Sequence, residues 1–305
     1  MTKIVLMDGG MGQELIRRSP DAVTALWGTT VMRDHPHIVQ GLHEAFLRAG
    51  SRVLTLNTYT LTRPRLSSKG AEELFEPMTV RAGELAVAAI DASGADVAVA
   101  GSLPPQVGSF HPDSVLPVEE AAPLFAEIAA HQTDFVDFFI CETMSSIREA
   151  MGALTGAATA GKPIWLAFST DDDDGTRLRS GEPLSKAVDA VKGAEHLAAI
   201  LINCTRPEAV DQGLPLLAAS GLPYGAYANG FTNIAASYIP GSTVEELSTR
   251  TDLTPGAYAD FALGWVEAGA TILGGCCEVG PAHIATLAKR LEAAGHTIVK
   301  GFDHG

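Results

Sequence analysis

The sequence predicts an α/β fold, a (β/α)8 TIM barrel, and three observations support this prediction. Eight short apolar segments recur along the 305 residues, and a stretch rich in Ala, Leu and Glu follows each one. The apolar segments are continuous rather than alternating, which is typical of strands buried on both faces of a parallel sheet. No linker or change of composition divides the chain, so residues 1–305 are expected to form a single domain. A doubly wound sheet is the alternative, but it rarely has so regular an eightfold count.

The predicted strands close on small or polar residues, which indicates where the chain leaves the sheet. In chain order they span residues 4–10, 52–60, 96–103, 137–143, 163–170, 198–205, 222–229 and 270–277.

Glycine and proline mark the ends of the intervening helices. Pro207 and Pro281 stand where a helix would begin, since the N–H groups of a first turn have no helical partner and proline lacks one anyway. Glycine suits the left-handed residue that closes a helix. The glycines expected at helix C-termini are Gly50, Gly94, Gly161, Gly221, Gly269 and Gly295.

The composition excludes several classes of protein. No apolar run reaches the length of about 18 residues that a membrane span requires, and the apolar run at the N-terminus is too short for a secretory signal. We therefore expect a cytoplasmic location and no membrane partner. The net charge of −15 disfavours nucleic acid but is compatible with a cationic small molecule. Four cysteines are too few for a disulfide scaffold.

Polar side chains converge at the C-terminal ends of the predicted strands, where the active sites of (β/α)8 barrels lie. Three of the four cysteines are among them, together with two carboxylates, two amides and a hydroxyl. This convergence predicts an active site at the mouth of the barrel. The residues are Asp8, Asn57, Thr58, Glu142, Cys204, Asn229, Cys276 and Cys277.

The cysteines predict a catalytic zinc site. Neighbours in a strand point to opposite faces, so Cys276 and Cys277 reach one centre only where the strand has ended, and the two preceding glycines allow this. With Cys204 they would supply three thiolates and leave one open position, the pattern of catalytic zinc. Such a zinc suits the binding of a substrate thiol as thiolate, which favours alkyl transfer to sulfur. Cys141 is left out, because it precedes Glu142 and should face the helices.

These residues resemble those of the homocysteine S-methyltransferase family, which includes betaine– and S-methylmethionine–homocysteine methyltransferases. The resemblance spans nearly the whole chain in order, and the Asn-Cys and Gly-Gly-Cys-Cys motifs are its specific part. The matching segments are Met7-Asp8-Gly9-Gly10-Met11, Leu26-Trp27, His35-Pro36, Leu42-His43, 46–50, Asn57-Thr58-Tyr59, Cys141-Glu142-Thr143, Ile202-Asn203-Cys204, and Gly274-Gly275-Cys276-Cys277 with Pro281.

The resemblance implies a barrel that uses Zn2+ to methylate homocysteine, giving methionine in methionine biosynthesis. It implies that Cys204, Cys276 and Cys277 bind the zinc, and that Asp8 and Glu142 hold the amino group of homocysteine. The partners are then small molecules, homocysteine and a methyl donor.

The resemblance also implies positions for the rest of the substrates. The backbone at Gly10 and Met11 should lie near the carboxylate of homocysteine. Trp27 aligns with a tryptophan that faces the cationic methyl donor in the betaine enzymes, where cation–π attraction would bind it. Segments 57–61 and 102–107 differ from those of the betaine and S-methylmethionine enzymes, so the donor stays open. The further substrate-binding candidates are Asn57, Thr58 and Asn229.

Other interpretations stay open. Asp8 is also compatible with a helix N-cap, Glu142 with a salt bridge and Asn229 with a turn. The thiols are compatible with a non-catalytic barrel that senses metal or redox state, in which Cys276 and Cys277 form a disulfide that Cys204 resolves. They are also compatible with a family enzyme that methylates a different thiol. The acidic run 171–174 is expected to be a solvated loop or to attract a cationic donor. Self-association is left open.

Overall fold

The computed structural model describes residues 1–234 and 247–301. Strands and helices alternate along these residues. The strands are β1 (Lys3–Leu6), β2 (Val53–Thr55), β3 (Ala98–Leu103), β4 (Phe138–Met144), β5 (Ile164–Phe168), β6 (Leu197–Asn203), β7 (Tyr224–Tyr227), β8 (Ile272–Leu273) and β9 (Thr297–Val299). The helices are α1 (Met11–Arg18), α2 (Gly28–Asp34), α3 (Pro36–Ala49), α4 (Arg63–Ser67), α5 (Phe75–Ser93), α6 (Val118–Gln132), α7 (Ile147–Ala158), α8 (Leu184–Val191), α9 (Pro207–Leu217), α10 (Pro255–Glu267) and α11 (Pro281–Ala293).

The first eight strands close into a ring of parallel strands. They follow one another in sheet order from β2 to β8, and β8 pairs with β1. The ring closes where the end of β1 meets β2, because Arg52 N–H donates to the carbonyl of Leu6 at 2.7 Å and Asp8 N–H donates to the carbonyl of Val53 at 3.0 Å. The predicted (β/α)8 barrel is therefore confirmed. The sequence did not predict β9, which pairs with the beginning of β1.

Alternation along the strands separates two apolar cores. Inward side chains, among them Val5, Ile140 and Trp165, fill the barrel, and outward ones pack against the helices. Cys141 belongs to the outer core, as predicted. Its neighbour Glu142 therefore faces the other way, toward the mouth of the barrel.

The helix boundaries follow the glycine and proline signals. All six glycines predicted to end helices have positive φ, between 63° and 107°. Pro207 and Pro281 are the first residues of α9 and α11, as predicted. Along the described residues, none of the helices combines the length and the hydropathy needed to cross a membrane.

Candidate active site

A cavity of about 380 Å³ opens at the carboxyl ends of the strands. Its inner part, here called the floor, is formed by residues at or just after strand ends. Its outer part, the rim, is formed by the connecting segments. The floor comprises Asp8, Thr55, Glu142, Cys204, Tyr227, Cys276 and Cys277, and the rim comprises Trp27, Arg65, Lys69, Ser109 and Phe110.

Three cysteines meet on the floor. The sulfur atoms of Cys204, Cys276 and Cys277 all lie within 4.8 Å of one another, close enough to bind one metal ion. The structure pairs Cys204 with Cys276 as a disulfide and leaves Cys277 as a thiol. In the redox alternative, Cys276 and Cys277 were the pair and Cys204 the resolving cysteine, whereas the structure pairs Cys204 with Cys276. Metal binding by all three cysteines requires this pair to be reduced.

The backbone brings these sulfur atoms together because the chain leaves the sheet just before each cysteine. Strand β8 contains only two residues, so the chain has left the sheet before it reaches Cys276. A Cβ atom on Gly275 would lie 2.2 Å from Val279 Cγ1, so this tight turn requires glycine. Cys204 directly follows β6 and has a φ of +47°, a left-handed conformation that turns it out of the strand.

A buried arginine supports Cys204. Arg179 Nη2 donates to the carbonyl oxygen of Cys204 at 3.1 Å, and its Nε donates to Ser169 Oγ at 2.8 Å. The same guanidinium pairs with Asp172 at 3.1 Å, and both side chains are less than a tenth exposed. The acidic run is therefore not simply a solvated loop, because Asp172 anchors this arginine.

Two buried carboxylates also lie on the floor. Asp8 accepts hydrogen bonds from Thr55 N–H at 2.7 Å and from Thr55 Oγ1 at 2.9 Å. Glu142 accepts hydrogen bonds from Ser102 Oγ at 2.5 Å and from Tyr227 OH at 3.3 Å. Asp8 does not cap α1, whose N-cap is Gly10, so the N-cap interpretation is wrong. Glu142 has no ion-pair partner within 4 Å among the described residues, which argues against the salt-bridge interpretation.

Burial changes the protonation of both carboxylates. Loss of solvent raises the pKa of Glu142 to about 7. Loss of solvent also raises the pKa of Asp8 to about 7, with the charge of Glu142 adding to the effect and the hydrogen bonds from Thr55 opposing it. Two carboxylates in one pocket suit a bound cation, which would stabilise their ionised forms.

Only some of the backbone N–H groups expected near a substrate carboxylate are free to donate a hydrogen bond to it. The N–H of Gly10 donates to the carbonyl of Val279 at 3.0 Å, so it is already used. Helix α1 begins at Met11, and the N–H groups of its first turn have no helical acceptor. These groups, rather than that of Gly10, can bind an anion.

Trp27 is half-buried on the rim, and its indole has a defined orientation. Its Nε1 donates to Gln13 Oε1 at 3.1 Å, and Gln13 Nε2 donates to Glu278 Oε1 at 2.9 Å. A Cβ atom on Gly12 would lie 2.0 Å from the indole ring, so only glycine leaves room for it. Trp27 is thus tied through Gln13 to the residue that follows Cys277.

The remaining candidates differ in position. Asn57 lines the cavity and donates from Nδ2 to the carbonyl of Gly28 at 3.3 Å. Thr58 is fully buried outside the cavity wall, with its hydroxyl donating to the carbonyl of Ser102. Asn229 is also buried away from the wall, and its Oδ1 accepts from Phe231 N–H at 3.1 Å, which agrees with the turn interpretation.

Sequence reasoning missed several residues of the site. Tyr227, Arg65 and Phe110 line the cavity, and Arg179 stands behind Cys204. No short motif could have identified them, because their partners come from distant parts of the chain. The aromatic residue near the end of the seventh strand was the one available signal for Tyr227.

Comparison with known proteins places this geometry among methyltransferases. The family model described as homocysteine S-methyltransferase matches residues 5–291. The homocysteine S-methyltransferase of Escherichia coli K12 is 27% identical over 304 residues, covering 94% of this chain and 95% of the relative. The selenocysteine Se-methyltransferase of Brassica oleracea is 25% identical over 319 residues, covering 94% and 88%.

A solved structure agrees with these relatives. The metallated form of the homocysteine methyltransferase MmuM from Escherichia coli superposes with a TM-score of 0.78 at 26% identity, covering 95% of this chain and 96% of that one. The oxidized form of the same enzyme also has a TM-score of 0.78 at 26% identity, covering 94% and 96%.

Proposed function

Because the chain belongs to the homocysteine S-methyltransferase family, we propose that this S-methyltransferase transfers a methyl group from a small cationic donor, such as S-methylmethionine, to the thiolate of L-homocysteine. The product is methionine. The observation that carries this proposal is the floor of the cavity, where three thiols and two buried carboxylates lie together. The thiols suit a metal that binds a substrate thiol, and the carboxylates suit the ammonium group of an amino acid.

Zinc is the proposed cofactor, held by Cys204, Cys276 and Cys277 once the pair of the first two is reduced. Three sulfur atoms within 4.8 Å of one another fit this ion, since thiolates are the ligands it favours and a fourth position stays available. When bound there, zinc would lower the pKa of the homocysteine thiol and keep it as a nucleophilic thiolate.

The carboxylates position the acceptor. Asp8 and Glu142 would bind the ammonium group of homocysteine, and ionisation of both is favoured once this cation is in place. The first-turn N–H groups of α1, beginning at Met11, would bind its carboxylate. Asp8 and Glu142 lie on the floor and Met11 lines the same cavity, so these contacts direct the side chain of the substrate toward the cysteines.

The transfer is a direct displacement. The thiolate sulfur of homocysteine attacks the methyl carbon, and the bond between that carbon and the donor heteroatom breaks as the new S–C bond forms. The electron pair of the broken bond stays on the donor sulfur or nitrogen, and no proton moves in this step. Opposite charges of donor and thiolate are neutralised, so apolar walls such as Met11, Leu56 and Phe110 favour the transition state.

We propose that Trp27 binds the cationic centre of the donor by cation–π attraction. Its place on the rim, facing the same cavity as the cysteines, supports this role, and the hydrogen bond to Gln13 fixes the ring. Asn57 positions this segment through the carbonyl of Gly28.

A different acceptor is the second candidate. One relative is named a selenocysteine Se-methyltransferase, and a cavity with the same thiol chemistry would accept a selenol. Equal rates with homocysteine and selenocysteine would favour this wider specificity.

The test uses reduced, zinc-loaded protein with homocysteine and separate trials of S-methylmethionine, S-adenosylmethionine, betaine and dimethylsulfoniopropionate. We expect methionine from at least one donor, measured by mass spectrometry with a deuterated methyl group. The matched controls are omission of homocysteine and the Cys276→Ser variant. If none of the donors gives labelled methionine although zinc is bound, the proposed reaction is wrong.

A further inference from the structure

The rim of the cavity carries a guanidinium without an acidic partner. Arg65 projects from α4, and its Nη2 donates to Ser109 Oγ at 3.1 Å while its Nη1 donates to the carbonyl of Tyr59 at 3.4 Å. Its Nε is buried and has no hydrogen-bond partner among the described residues. Within the described part of the chain, no carboxylate lies within ion-pair distance of this guanidinium.

This is unusual in a chain with a net charge of −15. Arg63, two residues earlier on the same helix, pairs with Glu127 at 2.6 Å and with Glu72 at 3.4 Å. A half-buried guanidinium that has only neutral oxygen partners keeps unused capacity for an anion. The planar group of Arg65 matches a carboxylate with two parallel hydrogen bonds, and exposed Lys69 adds positive charge to the same wall.

The position of Arg65 assigns this anion to the donor rather than to the acceptor. Packed inward side chains close the barrel beneath the floor, so the substrate that contacts the cysteines lies innermost and the second substrate enters from the rim. Burial raises the pKa of Tyr59 and of Glu149, and the charge of Arg65 partly opposes this rise, whereas Arg65 is not among the causes of the pKa shifts of Asp8 and Glu142. In the proposed binding mode, the first-turn N–H groups of α1 already bind the carboxylate of the acceptor, which leaves Arg65 to the carboxylate of a second substrate.

We propose that Arg65 binds a carboxylate of the methyl donor, so that the donor class is a sulfonium or quaternary ammonium compound with a carboxylate at its far end. This inference rests on the proposed methyl transfer. Trp27 and Arg65 then recognise opposite ends of a zwitterion across the rim, and they select it against cations that lack the acid.

The test compares two sulfonium probes that differ only in the carboxylate, dimethylsulfoniopropionate and ethyldimethylsulfonium. Calorimetric titration of the zinc-loaded protein should show the carboxylate-bearing probe binding about tenfold or more tightly, as expected for a charged hydrogen bond. The Arg65→Gln variant should lose this preference. Arg63→Gln is the matched control, because it removes the same charge from the same helix outside the cavity, and it should keep the preference.

Two further measurements keep the test decisive. Arg65→Lys should retain part of the preference, since lysine keeps the charge but cannot donate two parallel hydrogen bonds. If Arg65→Gln does not fold, Ser109→Ala, which removes a hydrogen-bond partner of Arg65, should reduce the preference instead. With S-methylmethionine as donor, Arg65→Gln should raise the KM for the donor about tenfold or more and leave the KM for homocysteine unchanged.

Several outcomes would overturn the inference. They are equal binding of the two probes by the wild-type protein, binding of neither probe, an unchanged preference in Arg65→Gln, and an effect of this substitution on homocysteine alone. The failure of this inference can be distinguished from failure of the proposed methyl transfer. If the wild-type protein prefers the carboxylate-bearing probe, Arg65→Gln abolishes this preference and none of the donors gives methionine, the carboxylate site is supported and the methyl transfer is refuted.

Discussion

Arg179 fixes the backbone of Cys204 in its left-handed conformation, through the hydrogen bond from Nη2 to the carbonyl oxygen of that cysteine. The guanidinium also bonds to Ser169 and Asp172, so it joins three segments at one point behind the thiols. Its positive charge is buried close to three groups that become anionic when they bind a metal.

Arg179→Lys should therefore weaken zinc binding by about tenfold or more, in the range found for residues that orient metal ligands. A lysine retains the charge but cannot bond to all three partners at once. Zinc affinity is measured by competition with a chromogenic chelator, with Arg177→Lys as the matched control because Arg177 is exposed. Equal zinc affinities of Arg179→Lys and the wild-type protein would show that Cys204 is held without this contact.

Replacing Cys204, Cys276 or Cys277 with Ser should remove bound zinc and methyl transfer while leaving the barrel folded. Each provides one of three neighbouring sulfur atoms, and none is needed for the strand ladders. Zinc per chain is measured by atomic emission and folding by circular dichroism. Cys141→Ala is the control and should retain zinc, because Cys141 lies in the outer core. Stoichiometric zinc in the Cys204→Ser variant would refute the ligand set.

The pairing of Cys204 with Cys276 predicts a thiol count that depends on reduction. Without reductant, denatured protein should react at two thiols, those of Cys141 and Cys277, and after reduction at all four cysteines. Zinc uptake should increase in parallel, since the same sulfur atoms cannot serve both bonds. The measurement is titration with a thiol reagent, and four reactive thiols in air-exposed protein would contradict the pairing.

Glu142→Gln should weaken homocysteine binding by about 1.5–3 kcal/mol, the range for a hydrogen bond to a charged group. The amide keeps the size of the side chain and an acceptor for Ser102, but it lacks the negative charge that an ammonium group needs. The KM for homocysteine should rise while the KM for the donor stays constant. A rise in the donor KM alone would place Glu142 on the other substrate.

Raised carboxyl pKa values predict that the ligand-free protein loses stability as the pH rises. Burial raises the pKa of Glu149 to about 7, from a reference value of 4.5, as it does for Asp8 and Glu142. The folded state thus binds these protons more tightly than the unfolded state. The stabilisation is complete below about pH 4 and is lost as the pH rises through 7.

The Glu149→Gln variant tests how much of this pH-dependent loss of stability comes from Glu149. Its amide oxygen can still accept the hydrogen bond from Ser145 N–H, but the amide does not titrate. Between pH 5 and 8 the free energy of unfolding of the wild-type protein should fall relative to this variant, by on the order of 2–3 kcal/mol. Urea unfolding at several pH values measures the difference. Parallel pH profiles would show that Glu149 titrates normally.

Most helix boundaries could be predicted from the sequence, because a single glycine or proline is enough to end or begin a helix. Gly50 and Pro207 illustrate this, since each acts through its own backbone conformation. Strand lengths were overestimated: residues 52–60 are apolar or β-branched in part, yet only Val53–Thr55 forms a ladder before the chain turns over the mouth. The ninth strand contains only three residues, too few to be recognised from its own sequence, and its register comes from its pairing with β1.

The candidate site was predictable where topology alone brings residues together. Asp8, Glu142 and the three cysteines follow strand ends, and the barrel places all strand ends at one mouth. Thr58 follows a strand end too, but its side chain turns to Ser102 and lies outside the cavity wall. Arg65 and Arg179 could not be predicted, because their positions depend on loops whose contacts span long stretches of sequence.

Strand β1 is hydrogen-bonded to β2, β8 and β9, and this has a consequence for the order of assembly during synthesis. During synthesis, β1 leaves the ribosome well before its partners at residues 272–299, which lie almost 270 residues later in the chain. Contacts of such high sequence separation form late. Because Asp8 follows β1 and the last two cysteines follow β8, a nascent chain contains most of the barrel before its candidate active site is complete.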